Sequence, residues 1–189
     1  MHQKLSDYIR KRITIDDNQL KTVLSFYKPL NLTKNEIVVN EGDVSHRMFY
    51  VSKGCLRVFF INEEGHEATR YLAFEGNFAT GLVSFISEKP SLEFIQAIEE
   101  TEILFITKND FYHLLEIIPG WEKFYRHYLE HAYITNTNRL MSFITMNASE
   151  RYSQLLSQNP MVVQRLSNKI VASYLNVSQE TLSRLKSKI

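Results

Sequence analysis

The last segment of the chain carries side chains that can hydrogen-bond to the edges of DNA bases. Gln179, Glu180 and Arg184 lie close together in the sequence, and Glu180 and Arg184 are spaced by about one helical turn. Glutamine can form two hydrogen bonds with adenine, glutamate can accept one from the cytosine amino group, and arginine can pair with guanine. Such side chains near the start of a helix fit the major groove of duplex DNA. The segment therefore predicts sequence-specific DNA binding.

These side chains belong to a pattern of two short helices joined by a tight turn, from Asn168 to Ile189. Asn176 stands where the turn needs a left-handed residue, Val177 fills the turn, and Ser178 is a good N-cap for the second helix. The inward positions are apolar: Val171, Ala172, Leu175, Leu182 and Leu185. The residues predicted to contact DNA are Ser178, Gln179, Glu180, Ser183, Arg184, Lys186 and Lys169. The alternative interpretation is an amphipathic helical hairpin at the end of a domain.

Positive charge is concentrated in the same part of the chain. The 189 residues include 22 Lys and Arg against 21 Asp and Glu, which gives a net charge of +1. Residues 165–189 hold five basic residues and one acid, a balance of +4, which leaves −3 for the other 164 residues. The five are Arg165, Lys169, Arg184, Lys186 and Lys188. This asymmetry favours an anionic partner at the C-terminal end, although basic residues also suit a solvated helix C-terminus.

The composition is that of a globular protein and excludes several other classes. Apolar residues make up 44% of the chain and charged residues 23%, as in ordinary folded domains. No apolar run approaches the roughly 20 residues of a membrane span, and the N-terminus lacks the apolar segment of a secretory signal. The single cysteine, Cys55, excludes an internal disulfide and a four-cysteine metal site. We expect a cytoplasmic protein with no membrane partner.

The first half of the chain has the pattern of a β domain. Four of the six glycines recur at intervals of 11 or 12 residues: Gly42, Gly54, Gly65 and Gly76. Glycine adopts the positive φ of a turn without steric cost. Runs rich in β-branched and aromatic residues lie at 36–40, 46–52, 55–62, 67–74, 92–98 and 102–107. Short strands at this spacing predict an antiparallel sandwich or barrel. Helices are expected on either side of it, at 16–27 and 109–118.

The second half is predicted to be helical, with one long helix over residues 121–146 that contains neither Pro nor Gly. At 1.5 Å per residue this helix would be about 39 Å long. Its residues at steps of three and four are Trp121, Phe124, Tyr125, Tyr128, Ala132, Thr135, Arg139 and Phe143. Because a small β domain cannot cover so long a helix, we expect this stripe to pack on a second copy in a two-fold dimer. The alternative is that the stripe packs against its own β domain. A shorter helix is expected at 148–157.

At this point the chain resembles the CRP/FNR family of bacterial transcription regulators. The sequence from Ser178 to Arg184 reads Ser-Gln-Glu-Thr-Leu-Ser-Arg and is similar to the family's Ser-Arg-Glu-Thr-Val-Gly-Arg recognition segment. Glu180 and Arg184 match the family's base-contacting Glu and second Arg, whereas Gln179 replaces the first Arg. The resemblance implies a homodimeric regulator that reads a palindromic site in double-stranded DNA, with RNA polymerase as a further candidate partner.

The resemblance also implies a fold and a domain organisation. The fold is α+β, with an antiparallel β-roll of the double-stranded β-helix or jelly-roll type and flanking helices. Residues 1–120 would form a cyclic-nucleotide-binding-like effector domain, residues 121–146 a dimerisation helix, and residues 147–189 a helix-turn-helix domain. Because the chain ends at Ile189, directly after the recognition segment, no clear wing is expected.

A β-roll of this family implies a cyclic-nucleotide pocket, but the residues depart from its motif. The cAMP-responsive members read Gly-Glu-Leu-(Gly/Ala) and, further on, Arg-(Ser/Thr)-Ala, where Glu accepts the ribose hydroxyl and Arg neutralises the phosphate. Here Gly81 stands in the place of the Glu and Ser91 in the place of the Arg, with Glu93 close by. We therefore predict no tight cAMP binding. The residues expected to line a pocket for an unidentified effector are Tyr71, Phe78, Thr80, Gly81, Leu82, Ser91, Leu92, Phe94, Asn136 and Thr137.

Other functions have weaker support in the sequence, and no catalytic residue, metal site or cofactor is predicted. His127 and His131 are spaced for a metal, but no accompanying acidic motif is present, so solvated or interface histidines are expected. One alternative is a cupin-like metalloenzyme, although the β half offers no His-x-His pair. The other is an effector-binding adaptor that does not bind DNA. A metal assay would test the first alternative and a gel-shift experiment the second.

Overall fold

The fold is that of a computed structural model, which describes residues 1–187. Lys188, one of the five basic residues counted above, lies outside the described residues. Within residues 1–187, eight strands form two four-stranded antiparallel sheets. The strands are β1 (Lys28–Leu32), β2 (Ile37–Val39), β3 (Arg47–Lys53), β4 (Leu56–Ile61), β5 (Glu67–Ala73), β6 (Phe78–Ala79), β7 (Phe94–Ala97) and β8 (Thr101–Thr107). The strand orders are β1-β8-β3-β6 and β2-β7-β4-β5.

An apolar core between the two sheets explains why these runs form strands. Alternate residues of a strand point to the same face of its sheet, and most inward residues here are β-branched or aliphatic, although Phe49 also points inward. Val51 of β3 pairs with Ile103 of β8, and Val58 of β4 pairs with Ile95 of β7. All four side chains are buried in one cluster, where each contributes about 1.5–3 kcal/mol of hydrophobic stabilisation. The predicted fold class is confirmed.

Nine helices accompany the sheets in the described part of the chain. They are α1 (His2–Arg10), α2 (Asp17–Ser25), α3 (Leu82–Ser87), α4 (Lys108–Ile117), α5 (Trp121–Thr145), α6 (Ala148–Gln158), α7 (Val162–Arg165), α8 (Asn168–Leu175) and α9 (Gln179–Lys186). Asp16 caps α2, since its side chain accepts a hydrogen bond from the Gln19 backbone N–H. The apolar faces of α1, α2, α4 and the first turns of α5 bury the outer face of the sheet that contains β3 and β8.

The sequence analysis did not predict five elements: α1, α3, α7, β1 and β6. β6 has two residues and α7 has four, too few for a periodic pattern. β1 contains Pro29, which suggested only the end of the preceding helix. β1 is an edge strand of its sheet, and proline is tolerated at an edge because its missing N–H breaks no ladder there.

The inner face of α5 packs against the chain's own β domain, contrary to the expectation of a partner. Trp121 and Phe124 are buried and stack on each other with ring centroids 4.3 Å apart. Tyr128 packs on the same cluster, and Arg139 donates a hydrogen bond to the Thr69 carbonyl oxygen of β5. The predicted dimer stripe is therefore wrong for these residues, and the alternative reading, packing on the β domain, is correct for them.

The opposite side of α5 carries a second set of apolar residues, which we call the outer face: Tyr133, Ile134, Leu140, Met141 and Ile144. Their exposed fractions range from 48% for Met141 to 72% for Tyr133. On a helix of 3.6 residues per turn, these positions fall on one stripe. An exposed stripe of five large apolar side chains is unusual for a free surface and is typical of an interaction site.

Gly54 provides a test of how tightly the β domain closes. It has a φ of +91°, and a Cβ placed there would lie 2.5 Å from Thr101 Oγ1 and 2.7 Å from the Glu100 carbonyl oxygen. Gly65 also has a positive φ, with nothing within 4 Å of such a Cβ. We expect Gly65→Ala to lose about 1–2 kcal/mol of unfolding free energy through backbone strain. Gly54→Ala should lose about 1–3 kcal/mol more, because the close contacts overpack the turn.

Urea unfolding followed by circular dichroism measures both variants. Equal losses for Gly54→Ala and Gly65→Ala would contradict the close approach of Gly54 to the start of β8.

Candidate functional site

The two C-terminal helices and their turn have the local geometry expected of the sequence pattern. Asn176 adopts the left-handed conformation, with φ of 53° and ψ of 53°. The Ser178 side chain accepts a hydrogen bond from the Thr181 backbone N–H at 3.1 Å and so caps α9. The inward residues are buried, as predicted: Val171, Ala172, Leu175, Leu182 and Leu185. The buried face fixes which side of α9 is presented to solvent.

The solvent side of α9 presents four of the side chains predicted to contact DNA, and we call them the reading face: Gln179, Glu180, Ser183 and Arg184. All four are exposed. Arg184 and Glu180 form an ion pair along the helix, and both side chains are more than two-thirds exposed. Such an exposed pair contributes little to stability. Both groups therefore remain accessible to a partner.

The other predicted DNA contacts lie outside the reading face. Ser178 is exposed beside Thr181 at the start of α9. Lys186 is partly buried and donates a hydrogen bond to the Asn168 side chain. Lys169 is exposed on α8 and pairs with Glu67 of β5, with 2.7 Å between Nζ and Oε1. The structure thus gathers the seven residues at one end of the chain and links Lys169 to the β domain, a contact that sequence reasoning missed.

A buried polar network, the Arg57 network, fixes α8 against the β domain; its members are Arg57, Glu67, Thr69 and Ser173. Ser173 Oγ of α8 accepts a hydrogen bond from the Thr69 backbone N–H at 2.9 Å and lies 2.6 Å from Thr69 Oγ1. Arg57 donates to Thr69 Oγ1 at 2.8 Å and pairs with Glu67 at 2.7 Å. The Arg57 side chain is only 3% exposed, so its charge needs these partners.

Two further arginines hold the C-terminal helices in place. Arg139 of α5 donates to the backbone carbonyl oxygens of Thr69 and Tyr174 and lies 3.8 Å from the centre of the Tyr174 ring. Arg165, at the end of α7, pairs with the carboxylates of Glu75 and Glu99. Arg165 and Lys169 belong to the basic C-terminal set, yet both face acids of the β domain. Part of the charge asymmetry therefore serves the packing of the C-terminal helices on the β domain.

A cavity of about 600 Å³ lies between the β domain and α5. It is lined by seven of the residues predicted for an effector pocket: Tyr71, Phe78, Thr80, Leu82, Ser91, Leu92 and Asn136. Three predicted residues lie outside the lining. Phe94 stacks on Phe59, Gly81 lies behind the wall at the start of α3, and Thr137 follows Asn136 on the side of α5 turned away from the cavity. The β domain and α5 thus enclose most of the predicted pocket.

Arg70 of β5 is the residue of this cavity that sequence reasoning missed. Its guanidinium pairs with both carboxylate oxygens of Glu93, with 3.2 Å between Nη2 and Oε2. Nη1 donates to Asn136 Oδ1 of α5 at 3.0 Å. The motif comparison placed Ser91 where the family has its arginine, so the pocket seemed to lack one. The structure supplies an arginine from another strand, already paired with an acid.

The tyrosines of the cavity wall stay protonated over the physiological pH range. Burial raises the pKa of Tyr71 to about 12, and it also raises the pKa of Tyr128 on α5. Both phenols therefore offer a neutral hydroxyl group at the edge of an apolar ring. They add no charge to the cavity.

The described residues show no group suited to metal chemistry. Within residues 1–187, no three His, Cys, Asp or Glu side chains lie together as a metal ion would require. Cys55 is buried, and burial raises the pKa of its thiol well above the ordinary value, which makes the sulfur unreactive. No helix in the same part of the chain is long and apolar enough to cross a membrane.

The acids that anchor the C-terminal helices predict a loss of stability in acid. Burial raises the pKa of Glu67, but hydrogen bonds from Lys169 and Arg57 outweigh this effect and lower it. Hydrogen bonds from Arg165 similarly outweigh burial and lower the pKa of Glu75. A folded-state pKa below the ordinary value of 4.5 means that the unfolded chain binds more protons as the pH falls. We therefore expect the unfolding free energy to fall between about pH 5 and pH 3.

Urea unfolding at several pH values measures this effect. The double variant Glu67→Gln/Glu75→Gln should be less stable at neutral pH and should show a flatter pH dependence. Glu63→Gln, in an exposed loop, is the matched control and should keep the slope of the unmodified protein. If the stability of the double variant depended on pH as steeply as that of the unmodified protein, the anchoring role of the two acids would be contradicted.

The comparisons with known proteins agree with this architecture. Residues 29–117, just under half of the chain, match the sequence model of the cyclic nucleotide-binding domain. The match runs from β1 to the end of α4 and so includes both sheets. No curated protein matches the chain significantly by sequence.

Three solved structures, two of them described as regulators, have the same fold over most of the chain. CLP, a c-di-GMP responsive global regulator from Xanthomonas campestris, has a TM-score of 0.73 at 16% identity, with 92% of this chain and 91% of that chain covered. FixK2 from Bradyrhizobium japonicum has a TM-score of 0.75 at 15% identity, with 86% and 83% covered. A protein from Eubacterium rectale, described as a regulator of the crp/fnr family, has a TM-score of 0.68 at 16% identity, with 90% and 82% covered. The chain therefore shares the fold of these regulators, and its residues 29–117 match a cyclic nucleotide-binding domain.

Proposed function

We propose that this protein is a transcription regulator that binds double-stranded DNA as a homodimer. Residues 1–120 form the effector domain, residues 121–146 the dimerisation helix, and residues 147–189 the DNA-binding domain. The observation that carries the proposal is the presentation of the reading face: its four polar side chains are exposed, while Leu182 and Leu185 on the opposite side of α9 are buried.

The chemistry of the reading face suits base edges in the major groove. Gln179 and Glu180 lie in the first turn of α9, where a recognition helix meets the bases. Arg184, one turn further, can pair with guanine once it leaves Glu180. Lys186 and Lys169 flank this face and would contact phosphates, which fix position rather than sequence. For Lys169, a phosphate would replace the carboxylate of Glu67.

The outer face of α5 supports the homodimer. Tyr133, Leu140 and Ile144 follow one another at seven and four residues, and Ile134 and Met141 are also seven apart. A spacing of this kind matches the seam of a two-helix coiled coil. The stripe extends for about 17 Å along the helix. Two-fold pairing along it would bury five exposed apolar side chains on each copy and present two reading faces on one side.

This function requires no catalytic residue, and none is assigned. A regulator of this kind acts in the cytoplasm, and RNA polymerase remains a predicted partner. The competing function is an effector-binding adaptor that does not bind DNA. The reading face distinguishes the regulator from the adaptor, because an adaptor that does not bind DNA does not require Gln179 and Arg184 to be exposed.

Arg184→Ala tests the reading face directly. We expect it to weaken binding to a tightly bound genomic fragment by about 1–3 kcal/mol, because a bidentate base contact is lost. Lys53→Ala, which removes an exposed cation from the β domain, is the control and should leave the affinity unchanged. Gel shifts at about 50 and 200 mM salt measure both the affinity and its steep salt dependence.

If Arg184→Ala leaves the affinity for the fragment unchanged, α9 does not read the bases. Absence of salt-sensitive binding to any genomic fragment would favour the adaptor.

Leu140→Glu tests the dimer. A charge in the seam should convert the dimer to a monomer, because two carboxylates would face each other in an apolar contact. Asn18→Glu introduces the same charge at an exposed position in the first turn of α2, outside the outer face, and should leave the dimer intact. Sedimentation velocity measures the mass of each variant. A protein that is monomeric without any substitution, or a dimer that tolerates Leu140→Glu, would contradict the seam.

A further inference from the structure

The cavity between the β domain and α5 has walls that are mostly apolar. The rings of Tyr8 and Phe78 meet edge to face with centroids 5.3 Å apart, and Phe78 meets Tyr128 in the same way at 5.9 Å. Leu92 and Val83 line the cavity and are 71% and 80% exposed. Large apolar side chains left in water beside a cavity favour a bound apolar group that would cover them. The volume of about 600 Å³ suits a small organic molecule.

The Arg70 cation in the cavity wall is already neutralised. Arg70 is paired with Glu93, whose side chain is only 12% exposed, and it also bonds Asn136. An anion that approached Arg70 would meet the Glu93 carboxylate at the same place. If the anion displaced Glu93, a nearly buried carboxylate would lose its partner, which is strongly unfavourable. The arrangement therefore disfavours an anionic ligand at this position.

The other cations of the lining do not replace Arg70 as an anion site. The Arg12 guanidinium lies 3.3 Å from the centre of the Tyr8 ring and donates to the Tyr8 carbonyl oxygen. Lys89 is exposed at the mouth, where water and salt screen its charge.

The hydroxyl groups of Thr80 and Ser91 in the wall are engaged in internal hydrogen bonds. Thr80 donates to the Arg47 carbonyl oxygen at 2.9 Å. Ser91 donates to the Glu93 carbonyl oxygen and accepts from the Glu93 N–H, both at 3.0 Å. A polar ligand atom buried against Thr80 or Ser91 would find no free partner there, at a cost in free energy, and the phenols of Tyr71 and Tyr128 can pair with only a few polar atoms. The walls therefore suit a ligand with a large apolar body and few polar atoms.

We propose that this cavity binds a neutral, largely apolar small molecule and discriminates against anions, cyclic nucleotides included. The selectivity arises from the Arg70–Glu93 pair, which presents no net charge, and from apolar walls that pack favourably against rings. The inference concerns the effector domain alone. A protein that binds such a ligand but not DNA would contradict the proposed function and leave this inference intact.

The test uses two fluorescent probes with the same ring system and the full-length protein. N-phenylnaphthylamine is neutral, and anilinonaphthalene sulfonate carries one negative charge. We expect saturable binding of the neutral probe, at least about tenfold tighter than that of the sulfonate. An excess of cAMP should not displace the neutral probe. Equal or tighter binding of the sulfonate, or displacement by cAMP, would overturn the proposal.

Two variants connect the result to the cavity. Glu93→Gln frees the charge of Arg70 and should raise the affinity for the sulfonate about tenfold or more relative to the neutral probe. Glu64→Gln removes a carboxylate from an exposed turn and should change neither affinity. Leu92→Asp places a charge at the exposed mouth of the cavity, where it should not disturb folding. It should lower the affinity for the neutral probe about tenfold. An unchanged preference in Glu93→Gln, or unchanged binding in Leu92→Asp, would contradict the assigned site.

Discussion

The packing of α5 is the constraint on which the rest of the structure depends. Its inner face closes the core of the β domain at Trp121, contributes Asn136 to the cavity wall, and fixes α8 through Arg139. Asn136 and Arg139 lie about one turn apart, and their partners Arg70 and Thr69 are neighbours on β5. The cavity and the C-terminal helices are therefore attached to the same short stretch of α5. The outer face stays exposed, and in the proposed dimer it packs on a second copy of the chain.

Local signals made the C-terminal pair of helices predictable from the sequence. Asn176 in the left-handed conformation, Ser178 as N-cap and the buried leucines of α9 each depend on residues only a few positions away. The glycine-punctuated β domain was predictable for the same reason, since turn residues and alternating strands recur along the chain. The orientation of α5 was not predictable from the sequence. Apolar residues occupy two opposite sides of that helix, so a single stripe could not be assigned to the right neighbour.

The contacts that long-range folding creates escaped sequence reasoning. Arg70 and Glu93 are far apart along the chain, and only the stacking of β5 beside the loop before β7 brings them together. The alternating pattern of β5 could have assigned Arg70 to one face of the sheet. The residues near Arg70 in the sequence, however, do not identify Glu93 as its partner. The pairing of Arg165 with Glu75 and Glu99 is similar. The position of Ser91 in the sequence indicates a missing arginine, whereas the folded protein supplies Arg70 from β5, which β4 separates from β7.

Selection of binding sites from random duplex DNA, with the full-length protein, tests the central claim most directly. If α9 reads bases and α5 pairs along its outer face, the enriched sequences should contain a palindrome. Its half-sites should lie about one helical turn apart, roughly 34 Å between centres. Enrichment of single, asymmetric sites would contradict the symmetric dimer. No enrichment at all would contradict DNA reading itself.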